Sequence, residues 1–238
     1  MKRPVLGLTM GDPAGIGPEI CVKALSRKEL SDLCRPVVYG DEKVLRRAMA
    51  VVSSPMDLHR LDDPGTPRDG TLNVVSLDNV PEGWEYGKVQ AACGRAAFEY
   101  IVRAVEDAKA GKIDGVVTGP INKESMNTAG MHYAGMTEIF AELTGTKDYS
   151  MMLTGGPLKV IHVSTHVPMR EAIERVRKER VLRVIRLADA MLRDLGSERR
   201  RIAVAGLNPH SSEHGLFGTE EEREVIPAVE AAKAEGLD

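Results

Sequence analysis

Two histidines stand where an α/β protein keeps its chemistry. In "IHVSTHVP" His166 lies just beyond the apolar run 158–164, and in "IAVAGLNPH" His210 lies just beyond the apolar run 201–207. Both runs read as strands, and open α/β sheets bind ligands outside the carboxyl ends of their strands, so both imidazoles are expected on the active face. Such a pair could supply two ligands of a divalent-metal site, which needs three protein ligands when it is catalytic. The plainer alternative is a pair of structural histidines. His162, inside its run, reads as a core histidine, while Glu213 and His214 are near enough to His210 in sequence to support it.

Two further clusters could handle an anionic substrate. In "VVTGPINKE" a strand ends at Thr118, Gly119-Pro120 turn the chain, and Asn122 and Lys123 open a helix. Asn122 is a candidate substrate contact, and Lys123 could bind an anionic group or carry a proton; a plain surface lysine is the rival reading. In "HYAGMTEIF" Thr137 and Glu138 open another helix, where a hydroxyl and free amides suit a phosphate. The stretch "GDPAGIGPEI" (11–20) is glycine-rich but fails both common nucleotide patterns. Ile20 stands where a third glycine would be, and no Lys-Ser or Lys-Thr follows. Pro18 suits a first helical turn, Gly15 and Gly17 permit close backbone approach, and unpaired amides there could face an anion. A tight turn without a ligand is the alternative.

These residues need a scaffold. Strands are expected over 5–10, 36–40, 71–77, 114–119, 149–154, 158–164 and 201–207, and helices over 18–27, 41–51, 89–110, 122–128, 137–144, 170–195 and 219–235. The alternation and the apolar strands predict a mostly parallel sheet covered by helices. Residues 53–88 are rich in Pro, Gly and Asp and read as loop with one strand. The last helix stops at Gly236, where a further strand is expected to follow.

Bulk properties narrow the classes. The 238 residues suffice for one large domain or two small ones, and a net charge of −3 gives no global pull toward nucleic acid or anionic membrane. Three Phe, five Tyr and one Trp are too few for base-stacking platforms. The basic run "MREAIERVRKERVLRVIR" interleaves charge with apolar residues at helical spacing and reads as a solvated helix face, with a phosphate-binding surface as the alternative. Cys21, Cys34 and Cys93 lack CxxC spacing and read as reduced residues of a cytoplasmic protein. The apolar N-terminal stretch is too short for a signal segment or a membrane span.

Taken together, "TMGDPAGIGPEI", "GVVTGPINKE", "YAGMTEIF", "STHVPMR" and "GLNPHSSEHGLFGTEE" resemble the 4-hydroxythreonine-4-phosphate dehydrogenase family, relatives of the isocitrate and isopropylmalate dehydrogenases. "ELTGTKDYSMML" and "VIHVSTH" look closer to the branch acting on 4-phospho-D-threonate and 4-phospho-D-erythronate. The resemblance implies a three-layer α/β/α fold of the isocitrate/isopropylmalate dehydrogenase type, with two subdomains around a cleft. Residues 1–238 would form one catalytic domain of two interleaved subdomains, in a homodimer with active-site clefts at the interface. It further implies a divalent metal (Zn, Mg, Mn or Co) on three histidines, two of them matched by His166 and His210. Thr137 and position 136 match substrate-phosphate contacts, and Gly11, Asp12, Gly15 and Gly17 belong beside the cleft, near NAD or NADP.

Two departures stand out. The family has His where this chain has Met136, and a thioether neither donates a hydrogen bond nor carries charge. The family also continues past position 238 through a segment bearing the third metal histidine, so truncation is expected. The implied reaction is metal- and NAD(P)-dependent oxidation, with decarboxylation, of a phosphorylated hydroxy acid such as 4-phosphohydroxy-L-threonine or 4-phospho-D-threonate. The rivals are a metal-dependent lyase of a phosphorylated sugar acid and a non-catalytic phosphometabolite-binding relative.

Overall fold

The first apolar run becomes β1 (Val5–Thr9), flanked in parallel by β2 (Arg35–Gly40) and β5 (Gly115–Thr118). β3 (Leu58–Arg60) and β4 (Leu72–Ser76) extend the sheet past β2, giving the order β3-β4-β2-β1-β5 with every pairing parallel. The structure, a computed structural model, describes residues 3–238 and divides into two compact units, Met1–Tyr133 and Ala134–Asp238.

In the first unit, Val37, Val38 and Tyr39 are all fully buried. Successive strand side chains point to opposite faces, so β2 is covered on both. The covering helices are α1 (Gly17–Leu25), α3 (Glu42–Val51) and α4 (Ala91–Lys109), with the short α2 (Lys28–Leu33) between α1 and β2. Cys21, Val22, Val44, Leu45, Tyr100 and Ala104 share their core with the strands. A polar pair is built into this interior: the Tyr39 hydroxyl donates to Asp107 Oδ2 at 3.0 Å, and Arg103 and Lys112 neutralise that carboxylate. α5 (Lys123–Thr128) follows β5 and packs on α4. Gly94 permits this contact, because a Cβ there would lie 2.2 Å from the Ser125 carbonyl.

The second unit has no parallel sheet among the described residues. α6 (Met136–Thr144) precedes an antiparallel hairpin of β6 (Met152–Gly155) and β7 (Leu158–Ile161), followed by α7 (Met169–Glu174), α8 (Lys178–Asp194) and α9 (Ile226–Ala234). Val181 and Ile185 of α8 pack on Ala228 and Ala232 of α9.

Several expectations need correction. Residues 201–207 form no strand: the run is mostly exposed, and its backbone contacts are Ile202 N–H to Asp238 O and Leu207 N–H to the Glu221 carboxylate. Apolar composition makes a strand only when a neighbour supplies the ladder. The helix expected over 170–195 is two helices. The Glu224 carboxylate accepts from the Lys178 amide at 2.7 Å and pairs with Arg177 at 3.1 Å, so α8 starts afresh there. The 158–164 run pairs antiparallel and ends at Ile161, and the 53–88 region holds two short strands in place of one. Among the described residues no helix is long and apolar enough to cross a membrane.

Candidate functional site

The glycine-rich loop lies where β1 and β5 end side by side. Their order beside β2 and β4 makes this the topological switch point, the usual ligand crevice of such sheets. Here the crevice is closed by backbone. The Asp12 amide donates to Pro120 O at 3.0 Å, and the Gly119 amide donates to Thr9 O at 2.8 Å. A Cβ on Gly11, whose φ is +78°, would sit 2.3 Å from Pro120 O, and one on Gly17 would sit 2.1 Å from Met10 O. These glycines therefore make room for the protein's own chain.

The loop amides are spent as well. Ala14 N–H donates to the Asp12 carboxylate at 2.7 Å, and Gly15 N–H donates to Asp12 O at 3.0 Å. Asp12 is buried, and burial raises its pKa against the lowering effect of bonds from Ala14 and Ser125. Asp12, Ala14 and Gly15 therefore offer no free amide, while no side chain caps the start of α1 at Ile16. The loop is a latch between the β1 and β5 ends. Asn122 belongs to the same sheet end, where its Oδ1 caps α5 by accepting from the Ser125 amide at 3.0 Å. The neighbouring Lys123 is exposed and makes no ion pair among the described residues.

The second unit gathers the remaining residues into a polar cavity of about 370 Å³. Thr137 and Glu138, in the first turn of α6, line it together with Lys147, Arg175 and Arg180. No side chain caps α6 at Gly135, and Met136 holds the helix's first position. A Cβ on Gly135 would lie 3.3 Å from Glu138 Oε2 and 3.5 Å from His166 Nε2, so the carboxylate and the imidazole face a common space that glycine leaves open. Glu138 Oε2 is buried without a hydrogen-bond partner. An orphaned carboxylate oxygen facing an imidazole is a donor set suited to a divalent cation.

His210 sits elsewhere in this unit, its ring 5.9 Å from that of Phe217. Among the described residues no cluster of three His, Cys, Asp or Glu side chains could hold a metal. The strand-end argument for both histidines also fails, since β7 is antiparallel and 201–207 is not a strand. Backbone strain marks the His210 loop. Residues His210 to His214 are all left-handed, with φ between +44° and +65°. Such runs persist only where the surroundings hold them. Glu221 holds this one, accepting from the amides of Leu207 at 2.8 Å and Asn208 at 2.5 Å and from Asn208 Nδ2 at 2.8 Å. Burial raises the Glu221 pKa, but the Asn208 and Leu207 donors outweigh it and hold the carboxyl below its ordinary range.

Sequence reasoning missed Glu221 and reached Arg180 only as one of the charges of the basic run 169–186. Arg180 is half-buried, with Nε donating to Val163 O at 2.9 Å and both Nη atoms donating to Tyr149 O at 3.2 Å. The signal was in the register: Arg180 shares the i, i+4, i+8 stripe of Val184 and Ala188, which are buried.

The family model for "Pyridoxal phosphate biosynthetic protein PdxA" matches residues 32–238. The chain belongs to the PdxA family. A relative from Oceanobacillus iheyensis, provisionally named a D-threonate 4-phosphate dehydrogenase, is 44% identical over all of this chain and 73% of its own length. A Symbiobacterium thermophilum relative with the same provisional name is 46% identical over 99% of this chain and 71% of its own. The crystal structure of a 4-hydroxythreonine-4-phosphate dehydrogenase from Klebsiella pneumoniae matches with a TM-score of 0.89 at 44% identity, covering 99% of this chain and 72% of that one. This PdxA-family chain is an oxidoreductase, and its mixed fold of parallel sheet and helices matches that of its relatives.

Proposed function

We propose that this PdxA-family chain oxidises a phosphorylated hydroxy acid, 4-phospho-D-threonate or 4-phosphohydroxy-L-threonine, with NAD or NADP as acceptor and with loss of CO₂. One observation carries the reading. In the second unit Glu138 lines a cavity together with Lys147, Arg175 and Arg180, and its carboxylate shares the open space at Gly135 with the His166 imidazole, an arrangement suited to a hydroxylated phosphate ester. The relatives' names supply the dehydrogenase chemistry and the two substrates.

His166 would hold a divalent metal, Zn, Mg, Mn or Co, with the Glu138 carboxylate near it and His210 contributed from its own loop. When bound, such a cation supplies Lewis acidity that lowers the pKa of the substrate hydroxyl. Glu138 Oε2, lacking a partner, can accept a hydrogen bond or a proton from that hydroxyl. Loss of the hydroxyl proton and transfer of the carbinol hydride to the nicotinamide leave a β-keto acid, and its new carbonyl is the electron sink for loss of CO₂. Thr137 offers a hydroxyl at the uncapped start of α6, where a phosphate is favoured. Lys123 is proposed as a proton carrier and Asn122 as a substrate contact through the amide nitrogen its cap leaves over. With the Asp12, Ala14 and Gly15 amides closed, a dinucleotide phosphate beside the Gly11, Asp12, Gly15 and Gly17 loop would meet the start of α1, which no side chain caps.

The fold reading goes with this proposal: an isocitrate/isopropylmalate dehydrogenase type of enzyme, acting as a homodimer. The hairpin supports the dimer. Leu153 pairs with Val160, and Leu158 shares their face, yet these residues are 57%, 42% and 66% exposed. A two-stranded hairpin with an uncovered apolar face is poorly stable alone, and a second copy of the chain would cover it. The three free cysteines suit a cytoplasmic protein.

The test is formation of reduced nicotinamide and CO₂ from each phospho acid, with NAD⁺ or NADP⁺ and each metal in turn. Reduction with CO₂ release is expected. Consumption of the phospho acid without reduction would replace this reading by a lyase, and binding without consumption by a non-catalytic receptor.

A further inference from the structure

Asp12 touches both helix starts that follow β1 and β5. Its side chain is 3% exposed, and no Lys or Arg pairs with it among the described residues. Hydrogen bonds alone therefore compensate its charge, a costlier arrangement than a neutral turn residue. A turn that bound only the Ala14 amide would need one acceptor, which Asn or Ser provides. The carboxylate has a second partner, the Ser125 hydroxyl.

That hydroxyl has a fixed sense. Ser125 is fully buried, and its Oγ accepts from the Gln90 amide at 3.3 Å, just before α4, so its proton is left for Asp12. The Asp12 amide also donates to Pro120 O at 3.0 Å. Asp12 thus grips the chain on both sides of residues 121–124, by its backbone before them and by its side chain after them. Asn122 and Lys123 lie inside that grip. Asn122 Oδ1 accepts from the Ser125 amide at 3.0 Å, so the direction of the Asn122 amide nitrogen follows Ser125. From the other side α4 closes on the same residue, where a Cβ on Gly94 would meet the Ser125 carbonyl at 2.2 Å.

We propose that Asp12 is a positioning residue: through the Ser125 hydroxyl it fixes the start of α5 and so aims Asn122 and Lys123 at the substrate. This rests on the roles given to Asn122 and Lys123 above and deepens them. Asp12 acts from behind these residues, with its own acceptors spent on Ala14 and Ser125. A displacement of about 1 Å in a group that meets substrate can cost about a hundredfold in rate, so a link one residue behind the contact reads out in turnover.

The test uses the whole protein and three measurements. These are calorimetric affinity for 4-phospho-D-threonate, kcat/KM for its NAD⁺-dependent oxidation, and hydrogen exchange at the Ser125 and Met126 amides, both of which bond to Asn122. Ser125→Ala and Asp12→Asn should each lower kcat/KM about ten- to hundredfold, weaken the phospho acid about three- to tenfold and quicken exchange about tenfold. In Ser125→Ala the KM for NAD⁺ should stay within about threefold, because the turn before α1 is untouched. The double variant should be little worse than the poorer single one, since both break the same link. Ser125→Ala removes one oxygen only, and it keeps the test decisive if Asp12→Asn misfolds. Quickened exchange with affinity and kcat/KM unchanged overturns the proposal, because the link is then structural alone. Losses that simply add in the double variant overturn it, as does a KM for NAD⁺ that rises in step or a wild type that binds no phospho acid. Affinity that depends on Ser125 in a protein that reduces no nicotinamide upholds the positioning role and removes the dehydrogenase reading, so the two fail separately.

Discussion

Glu221 is the residue whose removal should tell most about the His210 loop. Its carboxylate is 2% exposed and gathers three donors, the amides of Leu207 and Asn208 on Oε1 and Asn208 Nδ2 on Oε2. Hydrogen bonds to a charged acceptor contribute about 1.5–3 kcal/mol each, roughly 5–9 kcal/mol in all before water is counted. Leu207 is 39% exposed and Asn208 half-buried, so water replaces much of this, and about 2–4 kcal/mol should be lost in Glu221→Ala. Against that grip stands the run from His210 to His214, whose five left-handed residues cost on the order of 1 kcal/mol each. The two sums are of similar size, so the loop's shape depends on the Glu221 contacts.

Hydrogen exchange at the Leu207 and Asn208 amides reads this dependence directly. Glu221→Ala should cut protection there about thirtyfold or more, since 1.4 kcal/mol is a factor of ten. Glu221→Gln keeps a carbonyl oxygen for both amides and loses only the Asn208 Nδ2 contact, so its loss should be about tenfold smaller. The pH sign follows from a folded pKa held below the ordinary carboxylate value of about 4.3. The stabilisation is fully present above that value and is lost as pH falls through the lower folded value. Lowering the pH from 7 to 5 should leave protection unchanged, and further acidification should remove it. Equal loss in the Gln and Ala variants, or none in either, would refute the latch.

Other outcomes follow from single contacts. Gly17→Ala places a Cβ 2.1 Å from Met10 O and should cost about 3 kcal/mol by urea unfolding, whereas Gly155→Ala, with open space around it, should cost almost nothing. Leu153→Lys with Val160→Lys should turn a dimer into monomers in sedimentation equilibrium, and an unchanged oligomer would show that the hairpin face is not the contact. Burial pushes the thiols of Cys21 and Cys93 up to about 12 and about 11, so both should resist a thiol reagent at pH 8 until urea exposes them. Met136→His should tighten 4-phospho-D-threonate about three- to tenfold in calorimetry, and an unchanged affinity would separate position 136 from the phosphate.

What the sequence made legible has a physical pattern. β2 and β4 were readable because strands buried on both faces are continuous apolar runs, and β1 and β5 because their short apolar runs end at glycine-bearing turns. β3 was not, since Leu58, His59 and Arg60 form a three-residue edge strand with its last residue exposed. Residues 201–207 carry the same apolar signature and make no ladder, because partnership is a property of the fold. The break between α7 and α8 comes from Glu224, far along the chain, and no local periodicity records it. The local chemistry of Thr137 and Glu138 was visible. The Gly135 space beside His166 was not, and neither was the grip of Glu221, fourteen residues from the Leu207 amide it accepts.

The glycine-rich loop shows why fold analogy alone misplaces chemistry. Glycines after a parallel strand, at the switch point of the sheet, are what a dinucleotide site looks like in sequence. Whether a missing Cβ admits a phosphate or a neighbouring carbonyl depends on what the next strand delivers, and here β5 delivers Pro120 O to Gly11 while Met10 O faces Gly17. With Asp12, Ala14 and Gly15 amides closed on the protein itself, the uncapped start of α1 is what remains there to face a ligand. A second set of polar groups lies on the wall of a cavity in the unit that contains no parallel sheet among the described residues. There a backbone-braced arginine and an orphaned carboxylate line one cavity beside the uncapped start of α6, so the local chemistry of this unit, and not the position of the sheet, carries the proposed reading.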